Sequence, residues 1–107
     1  MPLTRVLRLA DLPSGSKKIV EVHGYEIALF HWDQRIFATT NICPHNGGSL
    51  GAGLLEEGTI VCPLHFWKFD LMTGKSLNQP AYRLEIYKVE VGGGWIYLDI
   101  PDEDLEE

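Results

Sequence analysis

Apolar residues in this chain fall into short runs, some alternating with polar neighbours and some unbroken, separated by Gly, Pro, Asn and Asp. Seven of these runs predict strands: Arg5–Leu9, Ile19–Val22, Tyr25–Phe30, Ile36–Thr39, Thr59–Val61, Leu84–Val91 and Trp95–Ile100. His23-Gly24, Trp32-Asp33-Gln34 and Gly92-Gly93-Gly94 stand between consecutive runs, which predicts three hairpins. In the last hairpin the alternation slips. Leu84 and Ile86 hold one phase while Tyr87, Val89 and Val91 hold the other, as a bulge or a strand shared between two sheets would produce. No window carries a helical stripe of ordinary length, so the expected class is all-β.

Composition changes the picture in the middle of the chain. Residues 41–80 are rich in Gly and Pro and contain both cysteines and two of the four histidines. The flanks, about 1–40 and 81–107, read as regular strands. With 107 residues the chain has room for one core. The expectation is therefore a single domain, a strand-built base with a loop-rich lobe inserted into it, because loops on a rigid scaffold commonly carry chemistry. The apolar share of 45% and charged share of 22% are those of a folded protein, not a disordered one. The net charge of −6 is uneven: Asp102, Glu103, Asp104, Glu106 and Glu107 crowd the end, and the rest of the chain is nearly neutral. Nothing is basic enough to point to nucleic acid. Arg5, Arg8 and Asp11 interrupt any signal-like start. The longest charge-free run, Ile36–Leu55, holds Pro44, His45 and four Gly, which a lipid-exposed helix would not tolerate. The expectation is a soluble, cytoplasmic, monomeric protein without a membrane partner.

Two segments carry candidate chemistry: Cys43-Pro44-His45 and Cys62-Pro63-Leu64-His65, separated by sixteen residues. A lone disulfide is uncommon in a chain without a secretion signal. Neither a disulfide nor a pair of buried thiols accounts for a histidine beside each cysteine. A thiolate and an imidazole within two or three residues reach one metal site. The donor set suits tetrahedral zinc, but zinc pairs usually stand two to four residues apart and Cys43 and His45 have one residue between them. Spacing favours an iron–sulfur centre and leaves zinc open.

The segment Cys43-Pro-His45-Asn-Gly-Gly, with Cys62-Pro-Leu-His65-Phe-Trp-Lys-Phe-Asp70 and Thr73-Gly74, resembles the two cluster-binding loops of Rieske [2Fe–2S] proteins. The likeness extends over nearly the whole chain. It implies the Rieske fold, an antiparallel sandwich or incomplete barrel carrying a cluster-binding lobe, and one [2Fe–2S] cluster per chain. Cys43 and Cys62 would hold the inner iron, His45 and His65 the outer one. Gln79-Pro80-Ala81 stands where the family has a proline-containing loop over the cluster. Two thiolates neutralise a diferric two-sulfide core where four would leave it negative, so histidine ligation eases reduction. High-potential relatives add a disulfide, a Ser and a Tyr around the cluster. This chain has no further cysteine, and Trp67 and Phe69 stand at the Ser and Tyr positions. Without those hydrogen bonds the potential should lie at the low end of the Rieske range, on the order of −150 mV.

The resemblance further implies a low-potential Rieske ferredoxin: not an enzyme, but a carrier of single electrons from an NAD(P)H-dependent flavin reductase to a terminal oxygenase. Both partners would dock transiently near His45 and His65. The alternatives are a Rieske-type small subunit of an assimilatory nitrite reductase and a structural zinc-binding module. Gly47, Gly48, Gly51 and Gly53 are expected to permit positive φ and amides aimed at sulfides. Phe66 departs from relatives that carry Gly after the second histidine. His23 and His31 read as surface histidines, and Trp32 and Trp95 as packing. Ser14, Ser49 and Ser76 lack a nucleophilic triad, and no phosphate-binding Gly-rich loop is present.

Overall fold

The unbroken run Ile27-Ala28-Leu29-Phe30 is buried on both faces, and the molecule is organised around it. The computed structural model describes residues 3–43, 48–63, 66–78 and 82–100. Among these the chain is all-β, with two short 3₁₀ turns and no α-helix. The strands are β1 (Leu3–Arg8), β2 (Lys17–Val22), β3 (Tyr25–Trp32), β4 (Arg35–Thr40), β5 (Leu54–Glu56), β6 (Thr59–Val61), β7 (Lys68–Asp70), β8 (Ile86–Gly92) and β9 (Trp95–Asp99). Six form an antiparallel sheet in the order β1-β9-β8-β4-β3-β2, and β5-β6-β7 form a small second sheet. The larger sheet curls: edge strand β1 returns beside the β2–β3 turn, with Thr4 Oγ1 3.5 Å from His23 Nε2. The base is thus an incomplete barrel. No described helix is long and apolar enough to cross a membrane.

Local sequence explains the turns. The pairs Val22↔Tyr25, Trp32↔Arg35 and Gly92↔Trp95 leave two-residue connections at the three expected hairpins. All the connecting residues have positive φ: His23 and Gly24, Asp33 and Gln34, Gly93 and Gly94. That is the backbone a type I′ turn requires, and its twist matches the flanking strands. A fourth such turn, Glu57-Gly58, joins β5 to β6. Strands β5 and β7 were not expected from the sequence, because three residues are too few to show a period.

Two apolar clusters lie on either side of β3 and β4. Ile27 and Leu29 join Leu12, Ala38, Tyr87, Ile96, Leu98 and Ile100 inside the curled sheet. Ala28, Phe30 and Phe37 face the other way, onto Cys43, Leu50, Ile60, Cys62, Phe69, Leu71 and Leu84 beneath the small sheet. Alternation along a strand sends successive side chains to opposite faces, so β3 and β4 act as a wall shared by both cores. The phase slip in the last hairpin has the same origin. Leu84 and Ile86 pack in the second cluster and Tyr87 and Val89 in the first. Strand β8 pairs with β4 through Ile86 and Tyr87, then with β9 from Lys88 onward. The bulge is elsewhere, between Arg5 and Leu7 of β1. It brings Arg5 and Arg8 over the Trp95 ring, 4.3 and 4.9 Å from its centroid, in cation–π contact. His31 departs from the expected surface role: it is half-buried, and its Nδ1–H donates to the Leu12 carbonyl at 2.7 Å.

Candidate metal centre

Each cysteine sits at the last paired position of a narrow hairpin finger. The first finger continues β4. Leu50 N–H donates to Asn41 C=O, Ile42 bridges Ser49, and Cys43 N–H donates to Gly48 C=O at 2.8 Å. The second finger is the β6–β7 hairpin, where Cys62 N–H donates to Trp67 C=O at 2.8 Å and Phe66 N–H returns to Cys62 C=O at 2.9 Å. The closing bond spans the same five positions in both, Cys43 to Gly48 and Cys62 to Trp67. A proline follows each cysteine, as suits a chain leaving regular pairing. His45, His65, Gly47, the Gln79-Pro80-Ala81 segment and the acidic tail lie outside the described residues. Among the described residues no three metal-ligating side chains cluster.

Cys43 and Cys62 are 1% and 0% exposed and are not joined as a disulfide. They share one apolar cluster with Phe69, Leu50 and Leu84. Thiolates in such surroundings need a compensating positive charge, and the core of an iron–sulfur cluster supplies one. Two soft, buried donors on two matched fingers fit that group.

The first finger is anchored by a residue that sequence reasoning treated only as part of a loop. Asn41 is 2% exposed. Its Nδ2 donates to Glu26 Oε1 at 2.8 Å and to Ser49 Oγ at 3.1 Å, and its Oδ1 accepts Gly51 N–H at 2.6 Å. The side chain ties β3 to both arms of the finger. A polar residue between the end of a strand and a Cys-Pro-His motif was the available signal. Gly51 is corrected by the same contact: its amide points to Asn41, not toward a sulfide. A Cβ there would press on the partly exposed Ile19 side chain and on Asn41 Oδ1, so close packing rather than a positive φ favours glycine.

The second finger is braced from behind. Asp70 Oδ1 accepts Met72 N–H at 2.9 Å and Asp70 C=O accepts Gly74 N–H at 2.7 Å, forming a turn through Thr73-Gly74. Gly74 has φ +82°, and a Cβ on it would stand 2.6 Å from the Leu84 carbonyl. Phe69 is fully buried in the cluster that holds both cysteines. Trp67 is half-buried against the same cluster and meets Tyr82 edge-on, with ring centroids 5.2 Å apart. Phe66 is 70% exposed with φ 61°, which accounts for glycine being the common residue there in the family it resembles.

Comparison with known proteins places this arrangement in a class. The model of the Rieske [2Fe–2S] domain matches residues 3–88. The chain belongs to that family, and its cofactor is one [2Fe–2S] cluster. Among curated proteins it is 41% identical over 100 residues to the 3-phenylpropionate/cinnamic acid dioxygenase ferredoxin subunit of Photorhabdus laumondii, covering 92% of this chain and 94% of that one. Among solved structures it superposes with TM-score 0.85 on the ferredoxin of carbazole 1,9a-dioxygenase from Nocardioides aromaticivorans, at 28% identity over 92% of this chain and 97% of that one. A second match, at TM-score 0.82 and 28% identity, covers 90% of this chain and 91% of a chain in the complex of reduced oxygenase and oxidized ferredoxin in carbazole 1,9a-dioxygenase. A putative nitrite reductase small subunit also superposes, at TM-score 0.85 over 94% of this chain and all of that one. At 21% identity it shares the fold alone.

Proposed function

We propose that this chain is a Rieske ferredoxin that carries single electrons to the terminal oxygenase of a dioxygenase system, with no substrate chemistry of its own. The observation that carries the reading is the pair of buried cysteines at the same position of two matched fingers, in a chain 41% identical to a dioxygenase ferredoxin subunit. Cys43 and Cys62 would hold the buried iron, and His45 and His65, two and three residues further along the sequence, the outer one. Bound there, the cluster accepts and releases one electron. The protein's part is to fix the donors. The Asn41 contacts hold the first finger, the Asp70–Gly74 turn braces the second, and the apolar cluster around both cysteines excludes water. In this reading residues 1–107 form one Rieske domain, with a base of about 1–40 and 81–107 and a cluster lobe of about 41–80. A flavin reductase using NAD(P)H is the electron donor, and both partners dock transiently near His45 and His65 on a cytoplasmic, monomeric carrier.

The test is anaerobic iron and acid-labile sulfide analysis with EPR of the dithionite-reduced protein, followed by turnover with a reductase and a terminal oxygenase. About two irons and two sulfides per chain, a rhombic signal averaging below the free-electron g, and oxygenase turnover are expected. Stoichiometric zinc without sulfide in freshly made protein would establish a zinc module instead. An intact cluster with stable co-purification of a large sirohaem subunit would move the chain to a nitrite reductase.

A further inference from the structure

Edge strand β1 carries two cations that the described part of the fold does not neutralise. Residues three apart on a regular strand point to opposite faces. The bulge between Arg5 and Leu7 breaks that alternation and sets Arg5 and Arg8 on one face, both over the Trp95 ring. Their guanidiniums lie 4.3 and 4.9 Å from one centroid, so the two charges repel each other within a Debye length, about 10 Å at 0.1 M salt. Both side chains are exposed. Among the described residues neither has a carboxylate within ion-pair distance, and the one ion pair found is Lys68–Glu56. Lys88, Glu90 and Asp99 share this outer face. Asp99 stands opposite Lys88, and Glu90 is separated from Arg5 by Tyr97. The face is turned away from the fingers. Ile96, Leu98 and Ile100, the inward neighbours of Trp95, pack in the first cluster, and the cysteines lie in the second, beyond β3 and β4.

The sequence supplies the counter-charge close by. Asp102, Glu103, Asp104, Glu106 and Glu107 follow Ile100 and Pro101, and they account for most of the net charge of −6. Asp99 pairs with Leu3, so the chain leaves β9 beside the start of β1, two residues before Arg5. At about 3.3 Å per extended residue, residues 101–107 reach about 23 Å, more than the ~17 Å that separates Leu3 from Arg8. We propose that residues 101–107 fold back over this outer face as a clasp, their carboxylates pairing with Arg5 and Arg8 on the Trp95 platform. Exposed ion pairs are individually weak, but the tether keeps these carboxylates at high local concentration. The clasp locks edge strand β1 onto the barrel and withholds the arginine pair from other acidic surfaces. It works at the far side of the molecule from the cysteines and is independent of what the cluster reduces.

The experiment compares four forms of the anaerobically prepared, cluster-loaded protein. They are the unaltered chain, a variant with the acids neutralised (Asp102→Asn, Glu103→Gln, Asp104→Asn, Glu106→Gln and Glu107→Gln), the Arg5→Gln, Arg8→Gln variant, and the combination. Far-UV circular dichroism gives the thermal midpoint at low and high salt, and proton–nitrogen NMR follows the Trp95 indole N–H. At low salt, neutralising the acids is expected to lower the midpoint by about 5 °C and to move the Trp95 signal. In the arginine-free background the same change should shift the midpoint by less than ~1 °C, as coupled groups do in a double-mutant cycle. The loss should vanish at about 1 M salt, where the Debye length is about 3 Å. The direction discriminates, because relieving net negative charge without a clasp leaves stability unchanged or raises it. No loss at low salt, an equal loss in both backgrounds, or an unmoved Trp95 signal overturns the proposal. A loss that grows with protein concentration overturns it too, by assigning the arginines to the acidic segment of a second copy. If the arginine variant does not fold, heteronuclear NOE values of a free chain for residues 103–107 in the unaltered protein refute the clasp by themselves.

Discussion

Replacing Asn41 with Ala tests whether the first finger is held by the contacts described. The substitution removes a carboxamide that is 2% exposed and makes hydrogen bonds to Glu26, Ser49 and Gly51. The Glu26 carboxylate is exposed and recovers water, so its share is small, about 1 kcal/mol after allowing for solvent screening. The Gly51 amide is half-buried and loses a 2.6 Å acceptor, for another ~1 kcal/mol or somewhat more. The sum of about 2–3 kcal/mol is a substantial part of the ~5–15 kcal/mol that stabilises a domain of this size. It should lower the thermal midpoint by about 10–20 °C. Because Leu50 and Gly51 belong to the returning arm of the finger, the cluster should also be lost sooner than the base unfolds. Far-UV circular dichroism and visible absorption, recorded together through a thermal or urea transition, measure both. Asn41→Asp keeps the acceptor for Gly51 but sets a carboxylate against Glu26, so it should be at least as destabilising at neutral pH and partly relieved in acid. A loss under ~0.5 kcal/mol with bleaching and unfolding still coincident would refute the anchoring role.

Other consequences are checkable independently. His45→Cys and His65→Cys should each displace or abolish the Rieske EPR signal while circular dichroism still reports the strands of the base; unchanged spectra in both would remove them from the ligand set. Phe69→Tyr and Trp67→Ser should raise the midpoint potential by protein-film voltammetry if their hydroxyls reach cluster or ligand sulfur, since such bonds favour the reduced state. Phe69 is the stronger test because it is fully buried in the apolar cluster that holds both cysteines. Burial, and secondarily the charge of Glu85, raises the Tyr87 hydroxyl above its ordinary value of 10.0. Below that value both folded and unfolded chains hold the proton. Above it the unfolded chain releases it first, so stability falls as pH rises from 10.0 toward the folded value. Urea unfolding across that window should show the decline, and Tyr87→Phe should flatten it.

The strands of the base were legible because their determinants are local. Runs of β-branched and aromatic residues ended by His23-Gly24 or Gly93-Gly94 name both the hairpins and their positive-φ turns. The cysteine–histidine pairs raised a metal site for the same reason, as a thiolate and an imidazole two or three residues apart suggest one whatever surrounds them, and the family match bears out the cluster. Strands β5 and β7 were not legible, since Leu54–Glu56 and Lys68–Asp70 are too short to show a period and exist by pairing with β6. Nor could the run Ile27–Phe30 say that its alternate side chains serve two cores, because that depends on what the curled sheet and the small sheet bring to each face. Asn41 looked like any polar loop residue until Glu26 and Gly51, fifteen and ten positions away, were folded against it. Phe66 was visible as an unusual residue but not as a strained one, since its φ follows from bonds that Cys62 makes across the finger. Local pattern therefore determined the longer strands, their hairpins and the candidate chemistry. Which distant groups meet, and what strain and burial result, followed from long-range packing that no single window of sequence contains.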